Sequence, residues 1–435
     1  MKSLLVSAIV VAACAVVLLS TQPAQAQTFK VLYSFTGAGD GGNPYQGMIR
    51  DGQGNLYGAT TWGGAFGYGA IFKLDTKGIE TLLYSFCPGG GECLDGENPY
   101  EGVIMDAGGN LYGSTTSGGS GGCFIGCGVV FMLSPTGVET VLHTFCPFGY
   151  GFCNGDGAHP TEGLILDSSG NLYGTTYQGG IGNCFNGDGC GVVFKLTPSQ
   201  TGNWTETVLY SFTGAADGAS PQAGVIRDVK GNLYGTTYGG GNFNSACTIY
   251  GCGVVFKLNS SGSETVLYKF CSQSACGDGV SSYAGLIMDA TRNLYGTTYL
   301  GGNPSCRNGG TGCGVVFKLS DTGAYTALYT FTGGTDGANS RGGVVLDGKG
   351  NLYGTTTSGG NLSNCTVGCG VVFKLTPTGQ ETVLHTFMGT DGAQPDTGVI
   401  RDTKGNLYGV TFDGGITGCS QSTLHGCGTV FKVVP

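Results

Sequence analysis

The tetrapeptide Asn-Leu-Tyr-Gly begins at Asn55, Asn110, Asn171, Asn232, Asn293, Asn351 and Asn406. Seven copies at intervals of 55 to 61 residues make this a repeat protein before any other property is considered. Three further blocks recur in step. Gly-Val-Ile-x-Asp precedes the tetrapeptide, as in Gly224 to Asp228. Gly-Val-Val-Phe-Lys-Leu follows it, as in Gly253 to Leu258, and Glu-Thr-Val-Leu-Tyr-Ser-Phe comes last, as in Glu206 to Phe212. Each block is short, rich in β-branched and aromatic residues, and bounded by Gly, Asp or Asn, so each reads as a strand. Asp228-Val229-Lys230-Gly231 predicts a tight hairpin between the first two strands. A Gly-containing turn such as Pro135-Thr136-Gly137 joins the third strand to the fourth, and the other two links are longer and vary in length.

Four strands in each of seven units predict an all-β, seven-bladed β-propeller of four-stranded antiparallel blades over residues 27–435. The rival, a parallel β-helix, calls for shorter coils of near-constant length. The ends of the chain favour the ring. Thr28 to Phe35 is a fourth strand lacking its third, and Gly428 to Val433 is a third strand lacking its fourth. Pairing them closes the circle and removes a sheet edge. The composition agrees with this. Gly contributes 87 of 435 residues, as many short strands with tight turns require, while 40% hydrophobic residues are enough for a core.

Residues 1–26 read as an export signal: Lys2, an apolar run from Ser3 to Leu19, and a small-x-small site at Ala24-Gln25-Ala26. Two alternatives are a membrane anchor and lipidation at Cys14. No apolar tail closes the sequence, so the expectation is a soluble, secreted or periplasmic monomer. A formal net charge of −9 argues against nucleic acid and anionic membranes as partners.

Eighteen cysteines remain beyond the signal, in close neighbours: Cys87 with Cys93, Cys123 with Cys127, Cys146 with Cys153, Cys184 with Cys190, Cys247 with Cys252, Cys271 with Cys276, Cys306 with Cys313, Cys365 with Cys369, and Cys419 with Cys427. Where a fourth-to-first link carries a pair, both members arrive or disappear together. Local disulfides explain that pattern, with cross-bridges between adjacent loops left open. Four histidines, and pairs scattered over separate blades, argue against a metal, and no cofactor is expected. Seven Asp-Gly pairs, from Asp40 to Asp391, read as turn formers because calcium would want more oxygens in one run.

The layout resembles kelch and NHL-type propellers, through the double glycine that closes the second strand (Gly63-Gly64 to Gly414-Gly415) and through "DxxGNLY". Its closest likeness is to the choice-of-anchor tandem repeat family called GloVer, whose "GNLYGTT", "GVVFKL" and "ETVLYSF" pattern spans residues 28–433. That resemblance implies an exported bacterial repeat protein and no known reaction.

Function is therefore sought where the copies differ. The second-to-third and fourth-to-first links emerge on one face and carry the cysteines. Just before each first strand runs the frame Asp-Gly-x-x-Pro-x-x-Gly, with Ser282 and Ser340 replacing two prolines. Its variable pair is Tyr45-Gln46, Tyr100-Glu101, Thr161-Glu162, Gln222-Ala223, Tyr283-Ala284, Arg341-Gly342 and Asp396-Thr397. These pairs are expected to ring the mouth of the central channel as a polar-aromatic collar for a glycan or a protein, or else to be solvated loop residues. Trp62 in the first long loop is a further candidate contact. With no nucleophile spaced to the histidines, the expectation is a non-enzymatic binding module. The alternatives are a polysaccharide hydrolase or lyase using Glu101, Glu162 and Asp396, and a structural or adhesion protein. Arg50, Arg227 and Arg401 fit either a basic channel mouth or pairing with nearby Asp. His143 and His385 replace a fourth-strand Tyr and read as packing residues, while His159 and His425 sit in long loops.

Overall fold

A computed structural model describes residues 27–435 except 121, 124, 148–152, 154, 162, 185–186, 245–246, 248–249, 307–310, 417–418 and 420–425. The signal reading of residues 1–26 with Cys14, and the positions Glu162 and His425, lie outside the described residues.

The strands form seven antiparallel sheets arranged as a seven-bladed β-propeller. The fourth blade is typical: Ile226–Arg227, Leu233–Thr236, Val254–Leu258 and Glu264–Lys269, each paired with the next. The last blade takes its outer strand from the N-terminal segment. Thr28–Ser34 pairs with Thr429–Val434 in the register Lys30 to Lys432. The third blade differs from the expected four strands. Gly157–Pro160 adds a fifth by pairing with an extended second strand, Leu172–Gly179.

The repeated letters have a physical account. In each hairpin the Asp carboxylate collects the donors around it. Asp228 accepts from the Asn232 backbone N–H (2.9 Å), from Asn232 Nδ2 (2.7 Å) and from the Tyr234 hydroxyl (3.1 Å). Burial opposes ionisation of this carboxylate, but those bonds win and hold its pKa below the usual value. The turn itself requires a left-handed residue, Gly231 at φ +83°; in the fifth blade Arg292 takes that role at φ 65°. Gly235, the last letter of the tetrapeptide, leaves room for the third strand's phenylalanine, since a Cβ there would lie 2.6 Å from Phe256 Cζ.

That phenylalanine also joins the blades. Phe212, ending one fourth strand, meets Phe256 of the next blade edge-to-face at 5.1 Å. The same pairing recurs at every junction: Phe35–Phe72, Phe86–Phe131, Phe145–Phe194, Phe270–Phe317, Phe331–Phe373 and Phe387–Phe431. These rings are at most 1% exposed. Each buried ring is worth roughly 1.5–3 kcal/mol by area, so the core lies between blades rather than within them.

Each Asp-Gly aspartate ties a loop to the preceding fourth strand. Asp217 accepts from the Tyr210 hydroxyl (3.0 Å) and the Thr213 N–H (2.8 Å). His385 does the tyrosine's work at its position, with Nε2 2.9 Å from Asp391, whereas His143 lies 3.5 Å from Asp156 and its Nε2 makes no hydrogen bond. Nine disulfides join the cysteines in the local pairs read from the sequence. Four sulfurs, of Cys123, Cys127, Cys146 and Cys153, gather within 4.8 Å of one another as two neighbouring bridges. Among the described residues no helix is long and apolar enough to cross a membrane.

Arg50, Arg227 and Arg401 depart from both sequence readings. They point to the hairpin face and lie over tyrosines of the preceding blade: Arg50 over Tyr408 (5.7 Å), Arg227 over Tyr173 (5.7 Å) and Arg401 over Tyr353 (5.9 Å). Ring faces attract guanidinium groups more cheaply than a carboxylate already engaged by an Asn and a Tyr.

Candidate functional site

The frame before each first strand has one backbone feature in every blade. Its fourth residue takes a left-handed conformation: Asn43, Asn98, His159, Ser220, Ser281, Asn339 and Gln394, all at φ between 52° and 57°. Few non-Gly residues adopt this conformation, Asn and His among the readiest. Asn43, Asn98, His159 and Asn339 reach back to a main-chain carbonyl of the preceding blade, as in Asn339 Nδ2 to the Tyr299 carbonyl at 2.9 Å. The chain then turns through Pro or Ser, and the next residue projects over the axis.

As a result the first member of every variable pair lines one cavity. Tyr45, Tyr100, Thr161, Gln222, Tyr283, Arg341 and Asp396 surround a space of about 450 Å³. Gln46 and Trp62 line it too. The second members mostly turn away. Glu101 is 2% exposed and is not on the wall; Ala223, Ala284 and Thr397 are buried against the neighbouring blade. Their carbonyls are clasped by the preceding blade's second strand. Thr175 donates to Ala223, Thr236 to Ala284, Thr297 to Gly342 and Thr355 to Thr397, at 2.6–3.0 Å. Ala59 and Val410 stand where two of these hydroxyls would be.

Beneath the collar the eighth frame letter narrows the channel. A Cβ on Gly102 or Gly224 would collide with the carbonyl of Gly47 or Gly163 on the adjacent first strand. Gly47, Gly102, Gly163, Gly285, Gly343 and Gly398 line a separate small space, about 250 Å³, on the axis below. Gln46 lines both spaces and so stands between them.

Charge in the collar is concentrated in two residues. Arg341 lies 4.9 Å from the Tyr283 ring centre and 5.2 Å from that of Tyr299, and it donates to the Tyr45 hydroxyl. Asp396 is 6% exposed, and its Oδ1 has no hydrogen-bond partner. Burial pushes its pKa up to about 6, with Arg341 and Thr357 acting against that rise. Tyr283 is also pushed up by burial and by Tyr238. Tyr45 packs edge-on to Tyr100 at 5.0 Å.

Several members of this site lie outside the variable pairs. His159 lines the cavity, with Nδ1 at 2.8 Å from the Thr116 carbonyl, so that nitrogen carries the proton in the neutral ring. Tyr177 lines it as well. Its counterparts Tyr238 and Tyr299 support Tyr283 at 4.9 and 5.1 Å, and Phe412 supports Tyr45 at 5.6 Å. These residues directly follow the Thr-Thr (or Val-Thr) of the second strand. Their variation among Thr61, Thr116, Tyr177, Tyr238, Tyr299, Thr357 and Phe412 was the available signal.

Solved structures superpose on the chain with little shared sequence. A fungal alcohol oxidase of the AA5 family, in complex with copper, superposes with a TM-score of 0.52 at 13% identity, covering 94% of this chain and 76% of its own. A polysaccharide lyase of the ulvan lyase type matches at 0.45 and 11%, covering 87% and 89%. A gluconolactonase from Xanthomonas campestris matches at 0.39 and 15%, covering 77% and 84%. At 13% identity the likeness to the alcohol oxidase is one of fold alone. No curated protein matches the chain. The model of the Gloeobacter/Verrucomicrobia repeat matches residues 15–250 and 186–431, and the chain belongs to that repeat family.

Proposed function

We propose that this propeller is an exported binding module that takes a carbohydrate in the collar cavity, entering end-on as a neutral terminal unit. One observation carries the reading: the first members of all seven variable pairs line the same cavity. The volume falls in the range of small-ligand sites, about 300–1,000 Å³. Tyr45, Tyr100, Tyr283 and Trp62 offer ring faces for a sugar, and Asp396 and Arg341 supply an acceptor and donors for hydroxyls. Their opposite charges leave no net positive field for an acidic sugar. The glycine-lined narrowing below favours a chain end over a chain threading through. Nine disulfides suit an oxidising compartment and limit the entropy lost when the long loops meet a ligand.

A panel of neutral and acidic oligosaccharides, tested by calorimetry, checks the proposal. Binding of a neutral saccharide that is lost in Tyr283→Ala and Trp62→Ala is the expected result. Binding that survives both variants removes the cavity from consideration.

A second reading, a hydrolase or lyase, is favoured by one feature. Asp396 is a buried carboxyl with a pKa near 6 in the same cavity as His159. Turnover of a polysaccharide that disappears in Asp396→Asn while binding persists supports that reading.

A further inference from the structure

We infer a second ligand site on the opposite, hairpin face, between the sixth and seventh blades, for a glycan chain bearing sulfate or phosphate groups. A cleft of about 620 Å³ lies there, with Lys349, Lys374, Arg401 and Lys404 on its wall and Val434 and Pro435 closing one side. The two hairpin lysines are exposed. Lys374 and Arg401 lie 6.0 and 5.9 Å from the centre of the same Tyr353 ring.

Among the described residues none of the four cations has a carboxylate within ion-pairing distance. Asp347 and Asp402, the nearest turn carboxylates, are engaged. Asp347 accepts from the Lys349 and Asn351 N–H groups, from Asn351 Nδ2 and from the Tyr353 hydroxyl, and Asp402 makes the equivalent set. Four cations thus converge in a protein whose net charge is −9, against one carboxylate on the cleft wall, Asp347, which its own hairpin already engages. An oxyanion between them relieves that repulsion, and the planar guanidinium with flanking ammonium groups suits the three outer oxygens of a sulfate or phosphate ester.

The other blades provide an internal control. Between the second and third blades the four equivalent positions hold Gly108, Met132, Leu166 and Ser169, with no cation among them. Scaffold chemistry therefore does not require these charges. The cleft is larger than one oxyanion needs and lies between two projecting turns, which fits a strand of polymer better than a flat lipid surface.

The test is binding to dextran sulfate over a series of salt concentrations, with inorganic phosphate alone and mixed phosphatidylcholine–phosphatidylglycerol vesicles as separate arms. The paired variant Lys349→Gln/Lys404→Gln alters only exposed turn side chains whose backbone bonds remain. Lys230→Gln, on a turn outside the cleft, is the control. Salt-sensitive binding of the polymer, weakened about tenfold in the paired variant and little in the control, is expected. Equal loss in the control, no loss in the paired variant, no polymer binding, or binding to vesicles alone overturns the inference. Neutral-sugar binding in the collar is untouched by these variants, so the two sites fail or stand separately.

Discussion

Arg341 and Asp396 share one cavity as its only opposed full charges among the described lining residues, and the arginine opposes the burial that drives the Asp396 pKa upward. Removing Arg341 leaves that carboxylate with less reason to ionise. A group whose folded pKa is raised contributes stability below its unfolded value, here 3.8, and loses it as pH rises through the folded value, about 6. Arg341→Ala is therefore expected to lower the melting temperature little at pH 5. At pH 8, where Asp396 is ionised without its countercharge, the cost rises to as much as about 3 kcal/mol. Thermal melts at the two pH values read the difference; equal deficits argue against coupling of the two residues.

Five fourth strands carry a half-buried glutamate at or near their start: Glu80, Glu139, Glu206, Glu264 and Glu381. Each has a buried Oε1 without a hydrogen-bond partner. Burial first, and then a nearby Asp-Gly aspartate, push each pKa from 4.5 up to about 7. Their contribution is complete below pH 4.5 and is lost as pH rises through about 7. The propeller should melt at a lower temperature at pH 8 than at pH 5, and Glu139→Gln with Glu264→Gln should flatten the slope. The turn aspartates act in the opposite direction, but below their ordinary pKa of 3.8, outside that window.

The channel floor gives a prediction with its own control. A Cβ at Gly224 would meet the Gly163 carbonyl at 2.3 Å, whereas one at Gly285 has its nearest neighbour, the Gly224 carbonyl, at 4.0 Å. Gly224→Ala is expected to cost about 1–3 kcal/mol in denaturant unfolding. Gly285→Ala should stay within about 0.5 kcal/mol.

Two hydrogen-bonded devices inside the repeated stretch differ in reach. Thr236 donates to the Ala284 carbonyl of the next blade, whereas Asp228 gathers donors within its own hairpin. Thr236→Val should cost about 1 kcal/mol, and Asp228→Ala about 2–3 kcal/mol because several partners are left unpaired. Hydrogen exchange separates them: the first loosens the Ala284 loop at the collar, the second the hairpin on the opposite face. Loss of protection at both places in both variants contradicts this division.

The ring, its closure and the disulfide pairs were legible because they repeat. Every blade needs the same glycine under the same phenylalanine, as Gly235 under Phe256, so the letters recur wherever the contact does. The extra strand Gly157–Pro160 was not legible. It lengthens a standard pair through residues that carry no strand signature, His159 and Pro160 among them. The collar was half legible. Variation inside the Asp-Gly-x-x-Pro-x-x-Gly frame marked both members of each pair, and nothing in the letters separates Tyr100, on the wall, from Glu101, buried away from it. The left-handed residue before the proline and the threonine clasp behind it make that choice.

By itself the sequence determined seven units, four strands in each, a closing strand at either end and a face carrying the long loops, since these follow from local pattern and periodicity. Tertiary structure alone decided which side chains meet over the axis. Tyr45 and Arg341 are separated by 296 positions yet share a hydrogen bond, and the support of Tyr283 by Tyr238 and Tyr299 joins two consecutive blades. Such contacts occur once and carry no period. They exist only when the ring has closed and brought its seven different collar residues to one centre.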